Sequence, residues 1–321
     1  MAKLTLDELQ TVAKATVNAD LQAGEWTGST NEFNGLVEKI SKIVSIEGAY
    51  EAILKWLDGE ELPYGASIEE YLTDLILPVE DDGSGEDDNS PSYPAFEDPA
   101  YSFTLPKHKV KTTMASDRIE TSCRNAEDAA QMAARIMSKL YQSETVYENS
   151  LKKQLLGNFI NKAITAGLVE TVAKPVDAET GAAFIKKVKE EVEKATKFEG
   201  EGRSLTNTLI GKSPELVLVV KPGILPSLDV DTLAGAFHLD KLSLPARIEV
   251  VDNFGVLAEG NEGAYAILLD PRGAKLCPNY KAVRTKENAD GDFINYVLHT
   301  RFTGFISKFT YVKVFKDVAG E

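Results

Sequence analysis

Side chains able to do chemistry are scarce in this chain of 321 residues, and those present are poorly spaced for it. There are two cysteines, Cys123 and Cys277, and three histidines, His108, His238 and His299. Two cysteines exclude a disulfide framework and a four-cysteine zinc site. Without an export signal, two free thiols are expected rather than a bridge. The histidines form no His-x-x-x-His or Glu-x-x-His pair, so metal enzymology is poorly supplied. Pairing Cys123 with His108, or Cys277 with His299, needs the fold to bring them together, and nothing in their spacing does so. No Gly-x-Ser-x-Gly elbow is present. Asp229 and Asp231 stand at the start of a predicted helix, where carboxylates offset the exposed N–H groups, and His238 reads as a residue capping its end. Gly200-Glu-Gly-Arg-Ser lacks the strand-to-helix context of a phosphate loop and reads as a flexible hinge. No catalytic constellation survives, and neither a cofactor nor a metal is implied.

Charge is more informative. The chain carries 50 acids against 35 Lys and Arg, a net charge of −15. From Trp56 to Pro106 there are fourteen acids and no Lys or Arg, so one segment holds nearly the whole excess. Such a block marks an exposed or extended stretch. Its densest part includes Asp81, Asp82, Asp87 and Asp88. A calcium loop begun at Asp81 or Asp82 requires Glu at its twelfth position and finds Ser92 or Tyr93 instead. A solvated acidic loop fits better. The net charge disfavours sequence-reading of nucleic acid, which needs a basic footprint. The longest purely apolar run, Leu216 to Val220, is far short of a membrane span, and the first residues lack a signal-peptide pattern. A soluble protein made in a cytoplasm, with no membrane partner, is expected.

The elements that must carry these residues alternate in type. Thr5-x-x-Glu8 and Ser29-x-x-Glu32 are capping boxes that open amphipathic helices, and a third short helix is predicted over about 49–57. Residues 67–76 fit a one-face helix or a strand, and periodicity does not decide between them. Residues 101–105 and 110–114 alternate like strands around a loop-rich acidic stretch. Residues 125–165 give the strongest helical pattern, about 60 Å if unbroken, with Gly157 and Gln142-Ser-Glu-Thr as possible kinks and Gly167 as the stop. The remainder predicts strands at 168–172, 215–220, 248–251, 265–269, 283–285 and 309–315, helices at 180–196 and 228–237, and a hairpin turned by Asp290-Gly291 into residues 293–301. The fold class is α+β.

Several of these stretches resemble one family in its own order. Leu62-Pro-Tyr-Gly-Ala-Ser-Ile-Glu-Glu-Tyr-Leu-Thr-Asp resembles the Gly-x-Thr-Ile-Glu-Glu-Ile-x-x-Asp stretch that opens the extended loop of phi-29-like major capsid proteins. Leu228-Asp-Val-Asp-Thr-Leu-Ala-Gly-Ala-Phe and Ile248-Glu-Val-Val-Asp-Asn-Phe are similar to that family's Leu-Asp-Val-Asp helix and the strand after it. Leu151 to Gly167, with the strand that follows, is similar to the end of its spine helix. The resemblance covers roughly 62–315. It implies the Hong Kong 97 fold of tailed-phage capsids, with residues 1–61 as a helical N-terminal arm and 62–114 as the extended loop. Residues 115–175 and 300–321 would form the peripheral domain, and 176–299 the axial domain. It makes residues 67–76 a strand entering the loop.

The function so implied is a shell subunit that self-assembles into pentamers and hexamers of an icosahedral head around packaged double-stranded DNA, held without sequence specificity. A portal protein and a separate scaffolding protein are expected partners. With 61 residues ahead of the loop, no attached scaffold and no proteolytic maturation are expected. Two other readings are a nanocompartment shell of the encapsulin type and a soluble enzyme. In the capsid fold the extended loop lies across a neighbour, so its acids are expected against Lys152 and Lys153 on the spine helix and Lys107, Lys109 and Lys111 at the loop's return. Some relatives of this fold stitch subunits through an isopeptide bond from a loop lysine. The absence of Lys from 56 to 106 predicts none from this loop, so boiled mature particles run as a 35.0 kDa monomer on a denaturing gel. A covalent ladder traced to this loop is the contrary result.

Overall fold

The structure, a computed structural model, describes residues 51–63, 66, 68–70, 72–73, 96–97, 103–122, 126–206, 210–224, 246–288 and 290–318, and positions 3–4, 11, 15, 37 and 45–46 before them. In chain order the strands are β1 (Lys3–Leu4), β2 (Ser45–Ile46), β3 (Leu72–Thr73), β4 (Phe96–Glu97), β5 (Phe103–Thr104) and β6 (His108–Ala115). Two helices follow, α1 (Ser116–Ser122) and α2 (Ala126–Thr165), then β7 (Val169–Thr171) and helix α3 (Ala178–Lys197). The chain continues through β8 (Leu216–Val220), β9 (Ala246–Val250), β10 (Ala264–Leu269), β11 (Ala274–Asn288), β12 (Phe293–Ile306) and β13 (Val312–Lys316).

Helix α2 runs its 40 residues without a break, through Gly157 and the polar stretch at 142–145. Its length follows from serving two sheets. The first half buries Ala129, Ala133, Met137 and Leu140 against Ile294, Tyr296 and Leu298 of a sheet in which β12 pairs with β11, β5 and β6. The second half buries Leu151, Leu155, Phe159 and Ala163 against Val217, Val219, Ile267 and Val314 of a five-stranded sheet ordered β7-β13-β10-β8-β9. The other face of that sheet, with Leu216, Leu218, Tyr265 and Phe315, is covered by Phe184, Val188 and Val192 of α3. Because β8 has apolar residues on both sides, it is buried at every position. This is the continuous apolar run expected of a strand between two layers.

The ends of the helices are fixed by local chemistry. Gly167 takes φ +75°, Leu168 N–H donates to the Ala163 carbonyl and Gly167 N–H to Ile164, a Schellman stop that satisfies the last carbonyls. At α3 the Asp177 carboxylate accepts from Thr180 N–H at 2.9 Å, and Thr180 Oγ1 accepts from Asp177 N–H at 3.2 Å. These bonds from Thr180 hold the Asp177 carboxyl below its usual range. The stretch after α3, expected to be a hinge, is instead tied down. Arg203 donates to the Lys194 carbonyl at 2.7 Å and to Phe198 at 2.9 Å, closing the C-terminal turn of α3 with a cation.

Several expectations need correction. Residues 51–57 are not α-helical: they run irregularly, with Leu54 at φ +49°, into one 3-10 turn at Lys55–Leu57. The apolar spacing of Ile53, Leu54, Trp56 and Leu57 fits one helix face, but the backbone groups that a helix would pair locally are taken by distant partners, the Ile53 N–H and carbonyl by Asn149 and Lys152 and the Trp56 carbonyl by Lys275. The strands predicted at 283–285 and 293–301 are the turn-side part of a hairpin whose arms are 15 and 14 residues long. Residues 72–73 pair antiparallel with 96–97, a strand as the resemblance implied. The division at 175/176 and 299/300 does not follow the sheets. β7 and β13 fall in the ranges assigned to the peripheral domain but join β8, β9 and β10 in one sheet, and β12 crosses residue 300 unbroken. Alternation identifies a strand but not its partner, so sheet membership shows only in the fold. Of the helices expected from the capping boxes at Thr5 and Ser29 only positions 11, 15 and 37 are described, each of them helical, while the helix at 228–237 and the acidic stretch at 80–95 lie outside the described residues.

One close approach locks α2 to the rest. A Cβ on Gly157 would stand 2.3 Å from the Phe254 carbonyl oxygen and 3.1 Å from that of Val256. On propensity alone Gly157→Ala gains up to about 1 kcal/mol, but overpacking against backbone costs about 1–3 kcal/mol and wins. The variant is expected to unfold at lower urea concentration than the parent, with an unchanged m-value. A higher midpoint would show that the 252–257 loop yields freely.

Candidate functional site

No cluster of three or more His, Cys, Asp or Glu able to hold a metal occurs among the described residues, and no described helix is long and apolar enough to cross a membrane. The thiol and imidazole candidates are dispersed. Cys277 is buried and pairs across the hairpin with Thr303, whereas His299 stands opposite Ala282, so the two are several residues apart along the ladder. Burial pushes the Cys277 thiol up, the opposite of an activated nucleophile. His108 stacks on Tyr147, ring centroids 3.7 Å apart and 9° from parallel. Cys123, His238, Asp229 and Asp231 lie outside the described residues.

What the fold does build is a strap. Residues 51–62 cross α2 and then run beside β11. Asn149 of α2 accepts from Ile53 N–H at 3.1 Å and donates to the Glu51 carbonyl at 3.0 Å. Lys152, fully buried, donates to the Ile53 carbonyl at 3.2 Å and pairs with Glu148 at 2.9 Å and with Asp58. Lys275 of β11 donates to the Trp56 carbonyl at 2.6 Å, and Trp56 Nε1 donates to Glu249 of β9 at 3.1 Å. Gly59 N–H and Leu62 N–H then donate to the Leu276 and Pro278 carbonyls. Leu54, Trp56 and Leu57 are buried in the core shared by α2 and the five-stranded sheet. The strap thus touches both sheets and the helix between them.

A second ionic contact ties β11 to α2. Lys281 reaches Glu144 at 2.5 Å and stands 4.1 Å from the Tyr141 ring centre. Burial raises the Glu144 carboxyl above its ordinary value in spite of that cation. Farther along the chain, Glu70 accepts from Ser307 Oγ at 2.5 Å and from Lys308 N–H at 3.3 Å.

The lysines expected to meet a neighbour separate into two groups. Lys152 is spent within its own subunit: its ammonium is sealed under the strap and cannot reach another chain, so that expectation is overturned. Lys153 pairs with Asp252 at 2.6 Å, which holds that carboxyl below its usual range. Lys107, Lys109 and Lys111 are exposed, and among the described residues none has a carboxylate within salt-bridge distance. Asp81, Asp82, Asp87 and Asp88 lie outside the described residues. Sequence reasoning missed the residues that share the face of Lys109 and Lys111. Lys109 stands opposite His299 and Lys111 opposite Val297 on β12, and these stand opposite Ala282 and Arg284 on β11. Lys286 and Arg301 continue the same face, the latter with its guanidinium 5.0 Å from the Tyr280 ring centre. The alternation Arg284-Thr-Lys286 carried the signal, but it becomes a face only once the hairpin register is known.

A model of the Phi29-like phage major capsid protein family matches residues 8–316. The chain belongs to this family. The curated major capsid proteins of Bacillus phage PZA and Bacillus phage GA-1 are each 25% identical to it, over 92% and 97% of this chain. The chain spans 66% of the length of each of these relatives. Among solved structures it is similar to the capsid of Staphylococcus phage Andhra, with a TM-score of 0.63 at 13% identity, covering 85% of this chain and 86% of that one. It is also similar to the mature capsid of bacteriophage PhiM1, with a TM-score of 0.53 at 14% identity, covering 86% and 90%. The fold is the α+β Hong Kong 97-type capsid fold, and the Phi29-like capsid proteins are structural proteins rather than enzymes.

In this capsid-family chain Lys152→Met tests the strap. Removing one partner of a buried ion pair costs about 3–5 kcal/mol. Asp58 and Glu148 are partly solvated and regain water, so about 2–3 kcal/mol is expected here. Amide exchange over residues 51–62 should accelerate well beyond that of α2. Uniform acceleration of both would show that Lys152 supports the helix and not the strap.

Proposed function

We propose that this chain is the shell-forming subunit of a tailed-phage head, assembling with copies of itself into pentamers and hexamers of an icosahedral shell around packaged double-stranded DNA. The family match over residues 8–316 carries the reading. The geometry supports it. A helix about 60 Å long that is gripped at both halves makes a stiff, elongated building block, and the acidic stretch leaves that block from one end of the hairpin. We assign the hairpin sheet with the first half of α2 to the peripheral body, and the five-stranded sheet with α3 to the axial body that meets its copies at the symmetry axes. A net-acidic wall repels phosphate, which suits a container that must hold DNA densely and release it. A separate scaffolding protein and a portal protein are the partners we propose, with assembly in the host cytoplasm.

The expressed chain should sediment as megadalton particles or as capsomers, and negative-stain microscopy should show closed shells. Particles from infected cells should hold nuclease-protected DNA. A small soluble oligomer would overturn the reading, and shells filled with a cargo enzyme would replace it with a nanocompartment.

A further inference from the structure

The outward face of the hairpin sheet is a concentrated cationic surface on an acidic chain. The inward positions of β6, β11 and β12 pack on α2 through Val110, Val283 and Leu298. The outward positions carry Lys109, Lys111, Arg284 and Lys286, all exposed, with His299 and Arg301 on the same side. Among the described residues no Asp or Glu occupies an outward position at 109–115, 280–288 or 293–301, and the nearest acids along the hairpin, Glu287, Asp290 and Asp292, stand at its turn. Same-face neighbours along a strand are about 7 Å apart, and Lys111 and Arg284, on either side of Val297, are about 10 Å apart. These spacings are comparable with the Debye length of about 8 Å at physiological salt, so the cations act as one charged patch. The His299 imidazole registers that field. Burial first, and then Arg284, Lys109 and Arg301, depress its proton affinity.

We propose that this face holds the phosphate backbone of the packaged duplex and therefore lines the inside of the shell. The inference rests on the shell reading above and names the surface of the subunit that meets its contents. Charge complementarity selects a polyanion, and the remaining residues of the face select nucleic acid. Thr113 and Asn295, joined by a hydrogen bond of 2.7 Å, stand among the cations and offer the hydroxyl and amide groups that phosphate oxygens accept from. A protein partner would need apolar anchors, and the face offers little beyond Val297 and, at the turn, Phe293 lying close over Gly291. The Tyr280 ring, which stacking of a single strand would need, already lies against Arg301, and its hydroxyl accepts from Arg284 at 3.3 Å, so a duplex fits better. The acid excess does not cancel the patch. It lies in the segment from 56 to 106, and the rest of the chain is nearly neutral. The subunit as a whole thus grips DNA loosely, through a few phosphates and without reading sequence.

Two measurements test it. The first uses the unaltered protein. DNA-filled particles and particles emptied of DNA are treated with a lysine-acylating reagent small enough to cross the shell, and modification of Lys109, Lys111 and Lys286 is read by mass spectrometry. All three should react several-fold more slowly in filled particles than in emptied ones. Equal, fast reaction in both would turn the face away from the DNA. Equal protection in both would mean that protein, such as an acidic segment of a neighbour, covers it. Either result overturns the proposal. The second uses the unassembled full chain with short duplexes of two unrelated sequences. Both should bind equally, with affinity falling against salt at a log–log slope of about −3 to −4 for four phosphate contacts. Each of K109Q, K111Q, R284Q and K286Q, checked for an unchanged unfolding midpoint, should reduce that slope by about 1 on either sequence. No binding by the parent, or slopes unmoved by the four substitutions, would also overturn it. Failure of the parent to form particles would instead sink the shell reading, and the duplex measurement on the unassembled chain would still stand.

Discussion

One helix must complete two hydrophobic cores, and most of this structure follows from that requirement. Neither sheet is self-sufficient. The hairpin sheet has its second face in solvent, and the five-stranded sheet needs a layer on each side. Helix α2 supplies both, with small residues such as Ala129, Ala130, Ala133 and Ala134 where it lies close on the hairpin and larger ones, Leu155, Phe159 and Ile160, where it covers the other sheet. The change from small to large side chains along one helix sets how far each sheet stands from the axis. The loop at 252–257 closes on Gly157 near the middle of the second half, where any side chain would force it away.

The strap answers a problem this arrangement creates. A helix shared by two sheets leaves a seam between them, and residues 51–62 lie along it. Its backbone carries the cost of an irregular path, including Leu54 in the left-handed region at φ +49°. A non-glycine residue there costs roughly 1–2 kcal/mol. Burial of Leu54, Trp56 and Leu57 offsets this, since each large apolar side chain buried contributes about 1.5–3 kcal/mol. Lys152 meets a polar need that apolar packing cannot: it gives the Ile53 carbonyl a donor inside the protein and takes its counter-charge from Asp58 and Glu148.

Local pattern was readable wherever one periodicity dominated. The 40-residue helix, the capped helix ending near Lys197 and the buried strand at 216–220 were evident from spacing alone, because each has a strict apolar face or run. The strap was not, since its apolar residues have helical spacing while the polar partners that hold it extended across α2 lie roughly a hundred or more residues away. Sheet membership was illegible for the same reason: nothing local to β13 says that it lies between β7 and β10. The cationic face was half legible. Lys107, Lys109 and Lys111 stand together in the sequence, but Arg284, Lys286 and Arg301 join the last two only through register. Lys152 looked like a surface partner because a lysine on a long helix is ordinarily solvated, and only packing shows that it is enclosed.

The position of β13 also governs when the subunit becomes whole. In the five-stranded sheet β13 is the sole link between β7 and the β10-β8-β9 group. Residue 169 must therefore wait for a partner made more than a hundred residues later, and until then β10 presents a bare edge. A ribosome-bound chain that has not yet released residues 312–316 carries an unfinished sheet. Such a chain lacks the finished surface that its copies would recognise, so recognition between subunits waits until β13 has been added to the sheet.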